Sequence, residues 1–222
     1  MKPKMICFMG LDGSGKTTSI EYAYQYLKKS GYRVEIVRAA YVIKYLRPII
    51  RLGKKLLMKH DSDPYAGDYN AYLEKMRKQS KKKGVYRLFS ALTTAEFKVQ
   101  IFFSITLKRL CGITLLVDRY VYDNVVTYAA NLGFGEAYIK ETMEHKWKRA
   151  PKPDMLIYIK TPVDICCSRK NDIPDPLYLE IREPLYDMVA SLYDAKTISG
   201  EQSMESMTQE VANAVEDCLK EK

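Results

Sequence analysis

The sequence predicts a single α/β domain, a central parallel five-stranded sheet with helices on both faces, and three observations lead there. Short apolar runs alternate with helical stretches along 222 residues, a length that suits one such domain. A glycine-rich turn at Gly10 to Thr18 joins the first apolar run to the first helix. A later apolar run, Ile113 to Val117, ends in a carboxylate, Asp118. Chemistry in such sheets sits at the carboxyl ends of the strands.

The elements follow in order. Lys4 to Met9 is mostly apolar, as a buried parallel strand is, and Thr17 to Lys29 is helical until Gly31 ends it. Arg33 to Val37 alternates into a second strand closed by Arg38. Tyr41 to Met58 places Ile43, Leu46, Ile50 and Leu57 at helical intervals beside a basic face, with Pro48 as a kink. His60 to Tyr69 reads as a loop, and Asn70 to Lys83 as a basic helix that Gly84 terminates.

A long helix follows from about Tyr86 to Leu110, and Gly112 resets the chain into the third strand. Tyr122 to Trp147 is helical, broken near Gly133 and Gly135, and Pro151-Lys152-Pro153 leads into the fourth strand, Asp154 to Ile159. A helix from about Pro162 to Arg169, a polar Pro-rich stretch to Pro176, a helix from Leu177 to Lys196, a short strand at Thr197-Ile198 and a last helix from Ser203 to Leu219 complete the chain. There is no internal repeat and no long linker, so residues 1–222 read as one domain with a basic helical insertion at about 41–86 and a lid at about 169–178.

The net charge of +9 is concentrated. Residues 41–88 hold thirteen Lys or Arg against four acids, and the remainder is close to neutral. Five cysteines, odd in number and without C-x-x-C spacing, fit the reduced thiols of a cytoplasmic protein. No apolar run approaches the roughly 20 residues of a membrane span, and Met1-Lys2-Pro3-Lys4 leads into the first strand without a signal-peptide core. A soluble, untargeted protein with no membrane partner is the expectation.

Gly10-Leu11-Asp12-Gly13-Ser14-Gly15-Lys16-Thr17-Thr18 fits the phosphate-binding loop pattern G-x-x-x-x-G-K-[ST] between a strand and a helix. The glycines let backbone N–H groups curl around a polyphosphate, with Lys16 in reach of its β and γ oxygens. The Thr17 hydroxyl can take a Mg2+ position, and Asp118 stands where such folds hold the same ion. The fold class is therefore that of a P-loop NTPase. Phosphoryl transfer asks for positioning, cations and Mg2+ rather than a nucleophile and base, so neither His60 nor His145 is expected to be catalytic.

Gly10 to Thr18, Gly112 to Tyr120 (G-I-T-L-L-V-D-R-Y), Pro151 to Ile159 (P-K-P-D-M-L-I-Y-I) and Gly31 to Arg38 follow one another in an order that resembles the thymidylate kinase family of nucleoside monophosphate kinases. The resemblance covers most of the chain outside about 41–86 and 170–177. It implies transfer of the ATP γ-phosphoryl group, with Mg2+, to a pyrimidine nucleotide, most simply dTMP giving dTDP. By the same resemblance, Gly10, Asp12, Gly13, Ser14, Gly15, Lys16, Thr17 and Thr18 serve ATP. Arg38 and Arg119 hold the acceptor phosphate, and Asp12 also faces the acceptor sugar's 3'-hydroxyl. Thr17 and Asp118 serve the metal, while Arg169 lies against the adenine and begins the lid. Lys16, Arg119, Arg169 and Lys170 are the candidate catalytic cations. Family members commonly dimerise, and the apolar run Val99, Ile101, Phe102, Phe103, Ile105 and Leu107 suits a homodimer face.

The chain also departs from that pattern. Leu88-Phe89-Ser90-Ala91 resembles the start of the segment whose Phe stacks on the base, making Phe89 a candidate acceptor residue, yet Thr93 stands where an arginine is expected. Lys98 is a candidate replacement. After Asp118-Arg119-Tyr120, Asp123 and Tyr128 occupy places that read the base edge in the family, which implies an altered base or altered hydrogen bonding to the same one. Some members carry a catalytic arginine in the loop where this chain has Gly13, so the transition-state cation should come from Arg169, Lys170 or, farther on, Arg182. Two other readings stand beside this one: a kinase for another nucleoside monophosphate or a nucleoside, and a nucleic-acid-stimulated P-loop NTPase using the basic cluster Lys75, Arg77, Lys78, Lys81, Lys82 and Lys83. No N-K-x-D base-reading motif is present, which argues against a GTPase switch.

Overall fold

The computed structural model describes residues 3–47, 68–80 and 83–220. Five strands, β1 (Met5–Met9), β2 (Val34–Arg38), β3 (Thr114–Asp118), β4 (Met155–Lys160) and β5 (Lys196–Ser199), form one sheet in the order β2-β3-β1-β4-β5. Every pairing is parallel. All five residues of β1 are buried because the strand is central and covered on both sides.

The period-2 alternation of the strands sorts the core into two layers. Met5, Cys7, Met9, Leu115 and Val117 face one cluster, and Ile6, Phe8, Leu116, Ile157 and Ile159 face the other. The second is covered by α1 (Lys16–Lys29) and the C-terminal helix α10 (Met204–Lys220) through Ile20, Ala23, Leu27, Val211 and Val215. The first is covered by α3 (Lys83–Ile101), α5 (Val121–Leu132) and α9 (Glu183–Leu192), with Phe97, Val125, Val126 and Val189. Helices on both faces of a five-stranded parallel sheet are thus what the alternation of elements predicts. All five cysteines are free.

Four expectations need correction. Tyr41 to Lys44 is not helical. The buried carboxylate of Glu96 on α3 accepts the N–H groups of Lys44 and Tyr45, each at 2.6 Å, and the Tyr41 hydroxyl at 2.9 Å, so this stretch is pinned across the helix. Residues 48–58 of the expected helix, and most of the expected loop 60–69, lie outside the described residues. Gly84 does not end a helix: after α2 (Tyr69–Ser80), Gly84 lies in the first turn of α3.

The stretch 177–196 is two helices, α8 (Pro176–Glu180) and α9, because Pro184 has no N–H to continue the first. The Asp175 side chain caps α8 by accepting from the Leu177 N–H at 2.8 Å. Finally, Arg87–Leu110, which runs from α3 through a π-turn at Phe102–Thr106 into α4 (Leu107–Leu110), is by length and composition long and apolar enough to cross a membrane. Its apolar residues divide: Ile101 and Ile105 are buried, while Val99, Phe102, Phe103 (59% exposed) and Leu110 are not.

Candidate active site

The register of the sheet brings the chemistry together. Asp118 is level with Phe8 of β1 and with Arg38 of β2, so the loop after β1, the carboxylate of β3 and the guanidinium of β2 share one edge.

The loop after β1 needs its glycines. Gly13 has φ +88°, and a Cβ there would come within 2.5 Å of the Cys166 carbonyl oxygen on α7 (Val163–Arg169). A side chain has no room at Gly13, so no cation can be supplied from that position. Gly10 is held as closely against β4, where a Cβ would meet the Ile159 carbonyl oxygen at 2.6 Å. Behind the loop, the Thr161 hydroxyl donates to the Ser14 carbonyl at 3.1 Å.

Helix α1 then begins with no side-chain cap and no acid in its first turn. Its first N–H groups carry the positive end of the helix dipole and favour an anion. Thr17 and Thr18 are exposed at that end. The Lys16 ammonium is folded back over the loop, donating to the carbonyls of Gly10 (2.9 Å) and Leu11 and to Ser14 Oγ (3.2 Å). Burial, followed by the nearby Arg119 charge, lowers its pKa to about 8 against the pull of Asp12, Asp123 and Asp118. A polyanion placed there would restore the proton.

Arg119 follows Asp118 with φ +60°, a left-handed conformation that costs a non-glycine residue energy. The turn aims its guanidinium across the sheet edge to an ion pair with Asp12 Oδ1, and Asp123 lies 3.8 Å away. Burial would lower the Arg119 pKa, but Tyr186, Asp12, Asp123 and Asp118 outweigh it and raise it. Burial would likewise raise Asp12, yet Arg119, Lys16, Lys170 and the Tyr178 hydroxyl hold it below the usual carboxylate range.

The three candidate cations Lys170, Arg169 and Arg182 separate. Lys170 Nζ lies 3.9 Å from Asp12 and 3.3 Å from Asp172, so it overhangs the loop. Arg169 turns instead to the Gly200 carbonyl at 3.1 Å. Arg182 is buried behind α8, bonded to Tyr69, Asn131 and the Tyr178 carbonyl.

The residues present fit a divalent cation. Asp118 Oδ1 is buried without a hydrogen-bond partner among the described residues, an orphaned anionic oxygen at the strand end. The exposed Thr17 hydroxyl on α1 supplies a second oxygen of the hard type such an ion takes. No group of three or more His, Cys, Asp or Glu suited to a metal occurs among the described residues, as expected where most ligands are phosphate and water.

The other expected residues lie on the wall built by α3 and α5. Tyr128 and Thr93 line one recess with Tyr41, Phe97, Asn124, Lys146 and Trp147. Thr93, standing where an arginine was expected, thus meets Tyr128, whose pKa is raised chiefly by burial. Phe89 is on α3 but 37% exposed. Lys98 is not in the recess and lies over the Trp147 ring, 6.0 Å from its centroid. Lys146 is the cation in that wall, donating to Ser90 Oγ at 2.7 Å. Asp123 is turned inward, accepting from the Tyr120 N–H (3.1 Å) as the N3 residue of a capping box at the start of α5, and from the Tyr186 hydroxyl (2.8 Å). His145 is exposed, and His60 lies outside the described residues.

Sequence reasoning missed Tyr178, Tyr186 and Lys146. Each reaches the site from a distant element, and no local motif marks them.

No family model matches this chain. It is 30% identical over 172 residues to a probable thymidylate kinase of Sulfurisphaera tokodaii, an alignment covering 77% of this chain and 71% of that protein. The chain belongs to the thymidylate kinase family. A thymidylate kinase of Caldicellulosiruptor saccharolyticus is 28% identical over 233 residues, covering all of both chains. A probable thymidylate kinase of Archaeoglobus fulgidus is 24% identical over 165 residues, 74% of this chain and 68% of its own. As a thymidylate kinase family member, the protein is a nucleoside monophosphate kinase enzyme. The five-stranded parallel sheet accords with that assignment.

Proposed function

We propose that this kinase moves the γ-phosphoryl group of ATP to the phosphate of a pyrimidine deoxynucleoside monophosphate, dTMP giving dTDP. The observation that carries the reading is the convergence of Lys16, Arg119 and Lys170 around Asp12 at one sheet edge. Donor and acceptor are both anionic, and two unit charges about 4 Å apart repel by about 4 kcal/mol at an effective dielectric of 20. Cations between them are the first requirement of the reaction.

In this reading the loop from Gly10 to Thr18 holds the ATP phosphates, with Lys16 on the transferred group. Arg38 and Arg119 hold the acceptor phosphate, and Asp12 holds the acceptor sugar's hydroxyl. Lys170 supplies the lid charge, with Arg169 beside the adenine. Thr17 and Asp118 hold Mg2+, which neutralises phosphate charge when bound. Phe89 and Tyr128 flank the acceptor base, and Asp123 acts through the position of Arg119. The segment at about 169–178 serves as a lid on one domain, with about 41–86 as a basic insertion. The exposed apolar residues Val99, Phe102, Phe103 and Leu110 support a homodimer. The free thiols support a cytoplasmic setting.

A second acceptor is favoured by one observation: Thr93 and Tyr128, both departures from the family pattern, line the same recess. Turnover of dTMP, dUMP, UMP, CMP, AMP and thymidine with Mg-ATP tests both readings. Greatest kcat/KM for dTMP is the expected result, greatest kcat/KM for another acceptor selects the second reading, and no turnover of any acceptor overturns both.

A further inference from the structure

We infer that Arg182 is a positioning residue for the reaction: it clamps Tyr178 so that the Tyr178 hydroxyl fixes the Asp12 carboxylate opposite Arg119. The inference rests on the proposed role of Asp12 at the acceptor.

Arg182 is 4% exposed, and among the described residues no carboxylate pairs with it. Its hydrogen bonds go to neutral acceptors: Nη1 donates to the Tyr69 hydroxyl (2.8 Å) and the Tyr178 carbonyl (2.7 Å), and Nη2 to Asn131 Oδ1 (3.0 Å). Nε is buried without a partner among the described residues. Burying a guanidinium against neutral groups costs free energy that an apolar residue would not, so stability is a poor reason for it.

What the arrangement does is hold one tyrosine from three sides. The guanidinium carbon lies 3.7 Å from the centroid of the Tyr178 ring, a close cation–π contact. The Tyr69 ring meets Tyr178 edge-on with centroids 5.6 Å apart. The bond to the Tyr178 carbonyl fixes the backbone of the same residue. With ring and backbone both held, the Tyr178 hydroxyl donates to Asp12 Oδ2 at 3.2 Å. Asp12 Oδ1 is left to Arg119 and Lys170. Each oxygen of the carboxylate is therefore assigned, and its plane is set by a residue 166 positions away. Because Tyr69 belongs to α2 and Asn131 to α5, the clamp also ties a helix of the basic segment to the phosphate-binding loop.

The test compares wild type with Tyr178→Phe, Arg182→Lys, Arg182→Met and the Tyr178→Phe/Arg182→Met double variant, measuring kcat and the KM of each substrate. Tyr178→Phe is expected to raise the acceptor KM roughly tenfold, the scale of a hydrogen bond to a charged group, with the ATP KM within about twofold. Arg182→Met should reproduce that split, Arg182→Lys should fall between, and the double variant should be no worse than the poorer single one. Unchanged acceptor KM in Tyr178→Phe, equal rises in both KM values, or additive effects in the double variant overturns the positioning role. Tyr178→Phe and Arg182→Lys keep the test decisive should Arg182→Met not fold. A wild type that turns over monophosphates while the variants show no split removes the clamp and leaves the proposed function standing. A wild type that phosphorylates none removes both.

Discussion

The loop after β1 and the wall formed by α3 and α5 face the same end of the sheet, but they are built differently. The loop is a run of consecutive residues whose backbone is shaped to cradle a polyphosphate, so Gly10, Gly13 and Gly15 with Lys16 declare it in nine letters. The wall is assembled from Tyr41, Thr93, Tyr128, Lys146 and Trp147, which come from four stretches of chain. Backbone-built sites tolerate little change at each position. Side-chain-built sites can be rewritten one residue at a time, and here Thr93 and Tyr128 differ together from the family pattern. In the proposed function the phosphate chemistry falls to the first region and the choice of acceptor to the second.

The sharpest way to break that division is Lys16→Met. It should lower kcat/KM for every acceptor alike, by about 10³-fold, the scale of losing a charge aimed at the transferring group. A loss that depended on the acceptor would join the two regions. Next is Arg119→Met, expected to cost about 10²-fold and to raise the acceptor KM more than the ATP KM.

On the wall, Glu96→Ala frees the N–H groups of Lys44 and Tyr45 and the Tyr41 hydroxyl. Stability should drop by about 2 kcal/mol, read as a lower urea midpoint, with the ATP KM of the folded enzyme unchanged. Tyr128→Phe is the mildest change, with an expected rise of about threefold in the acceptor KM and none for ATP, from losing one neutral hydrogen bond.

The pH dependence sharpens the loop side. Lys16 holds its proton to about 8 in the folded state and to about 10.4 when unfolded. Between those values the unfolded chain binds more protons, so this residue makes stability rise with pH. ATP affinity runs the other way and falls as pH rises through about 8, because the charge that meets the phosphates is lost. Unfolding midpoints and ATP titrations across pH 7 to 10, set against Lys16→Met, should show the Lys16 contribution to both slopes as the difference between wild type and variant.

The contrast also explains what was legible in the sequence. The sheet was, because each strand is an apolar run between glycine or proline signals, as at Gly112 before β3 and Pro151-Lys152-Pro153 before β4. The placement of Asp118 and Arg119 was, because a strand end fixes it. Gly84 misled because glycine in the first turn of a helix costs only about 1 kcal/mol, less than the packing of α3 returns. Tyr41 to Lys44 misled because its apolar spacing is helical, while Glu96, 52 positions from Lys44, takes its backbone N–H groups. Tyr178 gave no signal and Arg182 was named only as a farther candidate for the transition-state cation, since a clamp made by an aromatic ring, a guanidinium and two neutral acceptors has no motif. Lys170 could be named from sequence, but its place over Asp12 rather than that of Arg169 came from the fold alone.

In the proposed reaction the γ-phosphate leaves ATP for a nucleotide phosphate and not for water. Following that group directly, with γ-labelled ATP, Mg2+ and dTMP, is the decisive measurement. Label is expected in dTDP, one for each ADP formed, with no effect of added DNA or RNA. Label recovered as inorganic phosphate, at a rate that nucleic acid raises and dTMP does not, would contradict it.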